Sequence, residues 1–219
     1  TYIEAWTSGG ALKNISEFAD IVEFMQDSVA TPESMQKKYQ HDLQEWFSVA
    51  DKVDPGMVPG QINYDNPALV DTTWKTMDIP TDWEDAGLEN FDGIVWFRRY
   101  VTIPPSFFGG KMTLKLGTID DIDVTCLNGT EIGFTDRYSR FREYSIPDSV
   151  LQIGENLITL RVIDTQGLGG LRGSADQYRL VSSKGDSISL AGTWRYRPAI
   201  SLEKLPSWPY SPGDRKSVV

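Results

Sequence analysis

The chain has 219 residues, of which 40% are hydrophobic and 11% aromatic, and its formal net charge is −10. This composition supports a sizeable buried core and excludes a wholly disordered chain. The excess of carboxylates repels phosphate backbones and anionic lipid surfaces, so we expect no nucleic-acid partner. No apolar run approaches the roughly 20 residues that cross a bilayer, and we expect no membrane span.

The chain contains one cysteine and one histidine. Cys126 has no partner for an internal disulfide, and its place in the apolar segment 122–127 predicts a small buried thiol. His41 lies near Lys37 and Lys38, which predicts a solvated histidine on the polar face of a helix. A zinc site would need additional carboxylates, for which no pattern argues, so we expect no metal and no cofactor.

Residues 1–50 predict a loop and then a pair of helices. Residues 1–13 resemble the end of a strand and a loop cut from a longer protein. Asn14 can cap a first helix, and Thr31 with Pro32 favours the start of a second. Apolar residues recur at three- and four-residue spacing in both: Ile15, Phe18, Val22, Met25 and Val29, then Met35, Tyr39, Leu43, Trp46, Phe47 and Ala50. We predict a helical pair over 14–50 and a Pro-Gly-rich connector over 51–70.

From Trp74 onward apolar and polar residues alternate. This is the pattern of strands that bury one face and expose the other, wet face to solvent. Residues 111–116, 121–126 and 158–162 follow it, with Asp121, Asp123, Thr159 and Arg161 at predicted wet positions. Asn128 and Gly129 suit the positive φ angles of a type I′ hairpin. Other predicted strands are 92–104, 130–134, 143–146, 177–181, 187–190 and 193–197.

Many short strands separated by turn residues predict a mainly β protein, an antiparallel jelly-roll β-sandwich behind an N-terminal helical pair. We place the sandwich at residues 71–198 and an extended tail at 199–219. Trp96 and Trp194 are expected in its core, because tryptophans at such strand positions are usually buried.

The β part resembles the galactose-binding-like jelly-roll module of family 2 glycoside hydrolases. The resemblance covers roughly residues 74 to 197 as an ordered set of short motifs. These are Ile79-Pro80, Trp83-Glu84, Phe91-Asp92-Gly93, Trp96-Phe97-Arg98-Arg99, Leu116-Gly117, Asp120-Asp121, Leu127-Asn128-Gly129, Ile132-Gly133, Ile146-Pro147, Gly154-Glu155-Asn156-Leu157 and Arg161-Val162. The resemblance implies a galactose-binding-domain-like fold and an affinity for galactose-like glycans.

The segment Thr1-Tyr2-Ile3-Glu4-Ala5-Trp6-Thr7-Ser8 is similar to a stretch in sialate O-acetylesterases of the SGNH hydrolase type. In that family a galactose-binding-like jelly roll is inserted into the esterase domain after a helical stretch, and the segments here follow the same order. The resemblance implies a fragment whose partner is the esterase domain of the same parent chain, with the tail leading back to it. It also implies a periplasmic or secreted location. The family's nucleophile motif and its late Asp and His have no match, so we predict no catalytic residue in this chain.

Three short patterns imitate catalytic or metal sites. Gly185-Asp186-Ser187 resembles a hydrolase nucleophile motif, although a hairpin turn explains it equally well. Glu84 with Asp85 imitates the carboxylate pair of a glycosidase, and we read it as a turn after Trp83. Asp120, Asp121 and Asp123 could hold Ca²⁺, but strand alternation already explains Asp121 and Asp123.

Two loops are the best candidates for contact with a ligand. The loop 164–173 contains four glycines, which permit close backbone approach. In the resembled family 2 module an Asp after the corresponding strand lines the sugar pocket, and Asp164 is the position that matches. The predicted ligand-binding residues are Asp164, Gln166 and Arg172 in this loop and Asp136, Arg137, Tyr138 and Arg140 in the other.

In the second loop, arginines pair with sugar carboxylates and aromatic rings stack on sugar faces. Arg137 and Arg140 could equally make surface ion pairs on so acidic a protein.

We therefore expect a non-catalytic, carbohydrate-facing module of a sialate O-acetylesterase, with a sialylated or galactose-like glycan as its ligand. The alternatives are a stand-alone carbohydrate-binding module and an accessory domain of a family 2 glycoside hydrolase similar to a β-galactosidase.

Overall fold

The computed structural model describes residues 32–209. The first predicted helix, the segment 1–13 and the end of the predicted tail lie outside these residues. Helix α1 (Pro32–Val53) has Glu33 in its first turn and Lys52 in its last, charges that favour the two ends of the helix dipole. The chain divides into two compact units, and the unit Glu45–Trp208 contains the end of α1 and all the strands described below.

Residues up to Gln44 belong to the other unit. In its described part, Lys38 pairs with Asp42 one helical turn later. His41 is exposed, which confirms the prediction of a solvated histidine. Within residues 32–209, no helix is both long and apolar enough to span a membrane.

The unit Glu45–Trp208 is an antiparallel β-sandwich, as predicted. Its first sheet has the order β1-β12-β3-β8-β5-β6. These strands are β1 (Lys75–Ile79), β3 (Gly93–Ile103), β5 (Ile122–Leu127), β6 (Thr130–Thr135), β8 (Gly154–Asp164) and β12 (Gly192–Ser201).

The second sheet has the order β11-β10-β4-β9-β2, and β7, which lies off this order, also pairs with β4. Its strands are β2 (Thr81–Asp82), β4 (Met112–Asp120), β7 (Phe141–Ile146), β9 (Gly170–Arg172), β10 (Arg179–Ser182) and β11 (Ser187–Ser189). Short 3₁₀ helices cover Pro105–Phe107, Ala175–Gln177 and Leu202–Lys204. The predicted strand 177–181 therefore starts later, at Arg179, because a 3₁₀ helix occupies the preceding residues.

The turn between β5 and β6 confirms the predicted hairpin. Asn128 has a φ of 51° and Gly129 a φ of 81°, the two positive angles that a type I′ turn requires. Residues 185–187, which resemble a hydrolase nucleophile motif, also lie in a hairpin. In this hairpin Ser187 pairs with Val181 across the β10–β11 turn.

The core between the two sheets consists of large apolar side chains. Trp83, Phe97, Leu114, Leu160 and Trp194 are all fully buried there. Trp96 is also buried, at 2% exposure, which confirms the expected burial of both Trp96 and Trp194. Trp96 lies outside the core cluster between the sheets, however, on the opposite face of β3 from Phe97.

The prediction of one wet face for β8 is wrong, because Thr159 and Arg161 are 1% and 3% exposed. The end of α1 and the segment after it cover this outer face of the first sheet. Arg161 places its Nη1 2.6 Å from Asp51 Oδ1 and its Nε 2.8 Å from Asp54 Oδ2. The guanidinium group also lies over the rings of Phe47 and Trp96. Charge pairing with residues over a hundred positions away thus buries a position that alternation assigns to solvent.

A second arginine fastens the connector to the same outer face. Arg98 donates from Nε to Asp71 Oδ2 at 2.8 Å, and its side chain has no exposed surface. Its other nitrogens donate to backbone carbonyls of the connector, those of Tyr64, Asn66 and Leu69. The connector is therefore bound to β3 by hydrogen bonds as well as by packing.

The predicted wet face of β5 is also wrong. Asp123 is completely buried and Asp121 is 5% exposed. Asp123 lies opposite Val162 of β8, and both side chains point between the sheets. Arg142 of β7 donates to Asp123 Oδ1 at 2.7 Å, and Tyr144 donates to Asp123 Oδ2 at 2.9 Å. A buried ion pair thus replaces apolar packing at this end of the core.

Cys126 is buried and unpaired, as predicted. Burial and, to a smaller extent, nearby carboxylates together raise the pKa of its thiol to about 12. The thiol is therefore protonated and unreactive at neutral pH.

Candidate functional site

One end of the sandwich gathers carboxylates from four separate strand ends. Asp164 at the end of β8 lies opposite Gly93 at the start of β3, so Asp92 is its neighbour across the sheet. Asp120 of β4 and Asp82 of β2 both lie opposite Gly170 of β9. We call this region the loop end, and define it by Asp82, Trp83, Glu84, Asp92, Asp120, Asp121 and residues 164–172.

Asp164 is an acid of the loop end whose pKa is strongly raised. It has no exposed surface, its Oδ1 accepts a hydrogen bond from the Gln166 amide at 3.1 Å, and no group within residues 32–209 bonds to its Oδ2. Burial is the largest cause that raises the pKa of its carboxyl from 3.8 to about 8, and the negative charge of Asp121 is the next largest. At neutral pH Asp164 is therefore mostly protonated, and its carboxyl can both donate and accept a hydrogen bond.

We expect Asp164→Asn to change the pH dependence of stability. The folded chain keeps a proton on Asp164 that the unfolded chain releases near pH 3.8, so this carboxyl lowers stability as pH rises toward about 8. The asparagine removes that loss. Denaturant unfolding at pH 5 and pH 8 should show the variant gaining stability relative to the parent at the higher pH. A stability difference between variant and parent that is the same at pH 5 and pH 8 would contradict the raised pKa assigned to Asp164. The same gain in the exposed control Asp186→Asn would contradict it too.

The loop 166–170 rests on Trp83. The Trp83 amide donates to the Gly169 carbonyl at 3.0 Å, and the Gly169 amide donates to both carboxylate oxygens of Glu84 at 3.2 Å. A Cβ at Gly169 would lie 2.1 Å from Trp83 Cζ2, so only glycine fits there. Gln166 and Leu168 at the tip remain exposed. The loop therefore has a fixed base and an exposed tip.

Arg172 is engaged within the protein. Its Nη1 lies 2.6 Å from Asp120 Oδ2, its Nε pairs with Asp82, and its Nη2 donates to the Leu168 carbonyl at 3.1 Å. About a third of the side chain is exposed (32%). The guanidinium group thus neutralises two carboxylates of the loop end, and its predicted role in binding a ligand remains a prediction.

The second predicted loop, residues 136–140, is held by its backbone. The buried Arg142 donates to the carbonyls of Arg137 at 2.9 Å and Arg140 at 2.6 Å. The same guanidinium group donates to the Asp121 carbonyl at 3.0 Å. Arg137, Tyr138 and Arg140 are exposed, and Asp136 is half-buried.

Asp121 joins the two predicted loops. Its Oδ2 accepts hydrogen bonds from the Thr165 amide at 3.0 Å and the Thr165 hydroxyl at 2.7 Å, while its carbonyl accepts from Arg142. The structure therefore brings residues 164–166 and residues 136–140 into one hydrogen-bonded network. No sequence pattern indicated Arg142 as the link, because the residue lies in a strand that reads as half-exposed.

Three acidic residues of this region pair with an arginine or accept a hydrogen bond from a hydroxyl group. Asp120 pairs with Arg172, Asp123 pairs with Arg142, and Asp121 accepts from Thr165. Among residues 32–209, no three His, Cys, Asp or Glu side chains are placed to hold a metal ion. Glu84 lies in a turn after Trp83, where the Ala86 amide donates to the Trp83 carbonyl.

No protein-family model matches the chain, and no curated protein matches it. Among solved structures, the chain is similar to Bacteroides uniformis β-glucuronidase 2, with 16% identity over 64% of the chain and a TM-score of 0.46. It is also similar to Bifidobacterium dentium β-glucuronidase, with 25% identity over 42% of the chain and a TM-score of 0.39. A third similar structure is a β-glucuronidase from glycoside hydrolase family 2, with 22% identity over 48% of the chain and a TM-score of 0.42.

The chain spans 16%, 15% and 12% of the lengths of these three proteins, in the same order. Its structural neighbours are thus glycoside hydrolases, matched over a small part of their length. At TM-scores below 0.5 the similarity assigns no activity to the chain.

Proposed function

We propose that the chain is a carbohydrate-facing, non-catalytic β-sandwich module of a sialate O-acetylesterase, which hydrolyses O-acetyl esters of sialic acids. The observation that carries the proposal is the loop end, where the exposed tip of loop 166–170 and the arginine- and tyrosine-bearing loop 136–140 are joined through one hydrogen-bonded network. Side-chain amides bond sugar hydroxyls, arginines bond sugar carboxylates, and aromatic rings stack on sugar faces.

The ester-cleaving residues of the proposed enzyme would come from its esterase domain. A serine hydrolase needs a general base beside its nucleophile, and the chain has one histidine, His41, which is exposed on α1. Ser187 of the Gly185-Asp186-Ser187 motif lies in the β10–β11 hairpin. The Ser183 amide of this hairpin donates to the carbonyl of Lys111, just before β4, so the hairpin lies at the opposite end of β4 from Asp120. The proposed setting is periplasmic or secreted, with the esterase domain and a sialylated or galactose-like glycan as partners.

The test uses an esterase that contains this chain and a double variant, Gln166→Ala with Leu168→Ala, which removes the exposed side chains of the loop tip. We expect KM for an O-acetylated sialoside to rise about tenfold while kcat changes little, the signature of lost substrate binding. The matched control is Asp186→Ala, in the exposed hairpin at the other end of the sandwich. An unchanged KM in the double variant would refute the glycan-facing role of the loop end.

A further inference from the structure

A second candidate site lies on the outer face of the second sheet, around β7. The burial of β7 alternates along the strand: Arg142, Tyr144 and Ile146 are buried, and Phe141 and Glu143 face outward. Phe141 is 56% exposed, which is unusual for a large aromatic ring in a strand. Burial in the core does not explain the presence of this ring.

Phe141 lines two depressions of the surface. The first has a volume of about 330 Å³ and is lined by Lys115, Phe141, Glu143, Gln177, Arg179 and Val181 among others. The second has a volume of about 590 Å³ and is lined by Phe134, Ser139, Arg140, Phe141 and Glu143 among others. Both volumes fall within the range of about 300 to 1,000 Å³ that is typical of small-ligand sites. We call the two depressions, together with the Phe141 ring that lines both, the β7 strip.

The β7 strip is locally positive on an acidic protein. Apart from the buried Arg142, the cations in its lining are Lys115, Arg140 and Arg179, and the carboxylate in its lining is Glu143. Lys115 pairs with Glu143 at 2.8 Å, and Arg179 lies a loose 3.7 Å from Asp176 just outside the lining. The side chains of Lys115 and Arg179 are 38% and 42% exposed. On a chain with a net charge of −10, this excess of cations favours an anionic ligand.

We propose that the β7 strip binds an anionic oligosaccharide of at least two sugar units, one of which carries a carboxylate. One sugar face stacks on the ring of Phe141, and the chain of sugars extends into the depressions on either side. Arg179 or Arg140 bonds the carboxylate, and Gln177 and Glu143 bond hydroxyl groups. Polyanions such as nucleic acids are disfavoured, because the rest of the acidic surface repels them. The inference does not depend on an esterase parent, since it concerns binding by the chain itself.

The first test is a calorimetric titration of the 219-residue chain with 3′-sialyllactose and with trigalacturonic acid, using lactose as the neutral comparison. We expect saturable binding of at least one acidic sugar, weaker binding of lactose, and weaker binding at high salt. Phe141→Ala should weaken binding about tenfold, whereas Phe141→Tyr, which keeps an aromatic face, should retain it. Arg179→Gln should reduce the preference for the acidic sugar over lactose.

Matched controls separate this site from the rest of the surface. Ile153→Ala removes another side chain that is 61% exposed, and Lys75→Gln removes a cation from the exposed strand β1; neither should change binding. Circular dichroism checks that each variant is folded. Absence of saturable binding of both acidic sugars, equal affinity for lactose, or binding unaffected by Phe141→Ala would overturn the proposal. If Gln166→Ala/Leu168→Ala loses binding and Phe141→Ala keeps it, the sugar binds at the loop end. That result would refute the proposal for the β7 strip and leave the proposed function intact.

Discussion

Replacing Arg142 with methionine is expected to lower the free energy of unfolding by about 3 to 5 kcal/mol. Arg142 and Asp123 form an ion pair in which both side chains have no exposed surface. Methionine keeps much of the side-chain volume but leaves the Asp123 carboxylate buried without its cation. It also removes the donors to the carbonyls of Asp121, Arg137 and Arg140, so the loop 136–140 loses its anchor.

Urea unfolding of the variant measures this loss, and two further variants identify its cause. Lys115→Met breaks the exposed pair with Glu143 on the neighbouring strand, and we expect it to cost less than about 1 kcal/mol. The double variant Arg142→Met/Asp123→Leu removes both charges and should be more stable than Arg142→Met alone. A loss below about 1 kcal/mol for Arg142→Met would mean that the buried pair does not hold this end of the core.

Arg98→Met is expected to cost about 3 kcal/mol and to release the connector from the first sheet. The arginine is completely buried and binds Asp71 as well as the carbonyls of Tyr64, Asn66 and Leu69. Without it, these acceptors must be satisfied by water, which requires the connector to move away from β3.

Hydrogen exchange checks this prediction region by region. We expect faster exchange in residues 54–74 of Arg98→Met, together with a lower denaturation midpoint. The control is Arg99→Met on the same strand, which loses a hydrogen bond to the Thr193 carbonyl and a contact with the Trp194 ring, at an expected cost of about 1 kcal/mol. Unchanged protection of residues 54–74 in Arg98→Met would contradict the role assigned to the buried arginine.

Local sequence patterns predict the parts of the fold that local chemistry determines. The Asn128-Gly129 turn follows from the positive φ angles that these residues tolerate. The strand with Met112, Leu114 and Leu116 follows from alternation, since these three side chains are buried in the core. Both predictions succeed because they depend on residues that are close together in the sequence.

The same patterns fail where distant residues bury a charge. Asp123 and Arg161 occupy positions that alternation assigns to solvent, and the structure buries both in ion pairs, with Arg142 and with Asp51 and Asp54. Nothing within a few residues of either one indicates its partner. The pairing depends on the order of strands in the sheets, which a single sequence does not specify.

In the candidate site, too, local sequence predicts some features, while others depend on distant residues. Asp164 is identifiable as a polar residue that ends an apolar strand before a glycine-rich loop. Its raised pKa arises from burial and from Asp121, Asp92 and Asp120, which reach it from other strands. The joining of loop 136–140 to the loop end through Arg142 and Asp121 likewise depends on the register of β7 with β4 and of β5 with β8.

We propose that this chain presents a surface to glycans and that the ester-cleaving residues lie in another domain of the parent enzyme. The decisive measurement is acetate release by the folded 219-residue chain from an O-acetylated sialoside and from p-nitrophenyl acetate. We predict a rate equal to the protein-free background with both substrates. Turnover at enzyme-like rates, abolished by Ser187→Ala or by His41→Ala, would contradict it.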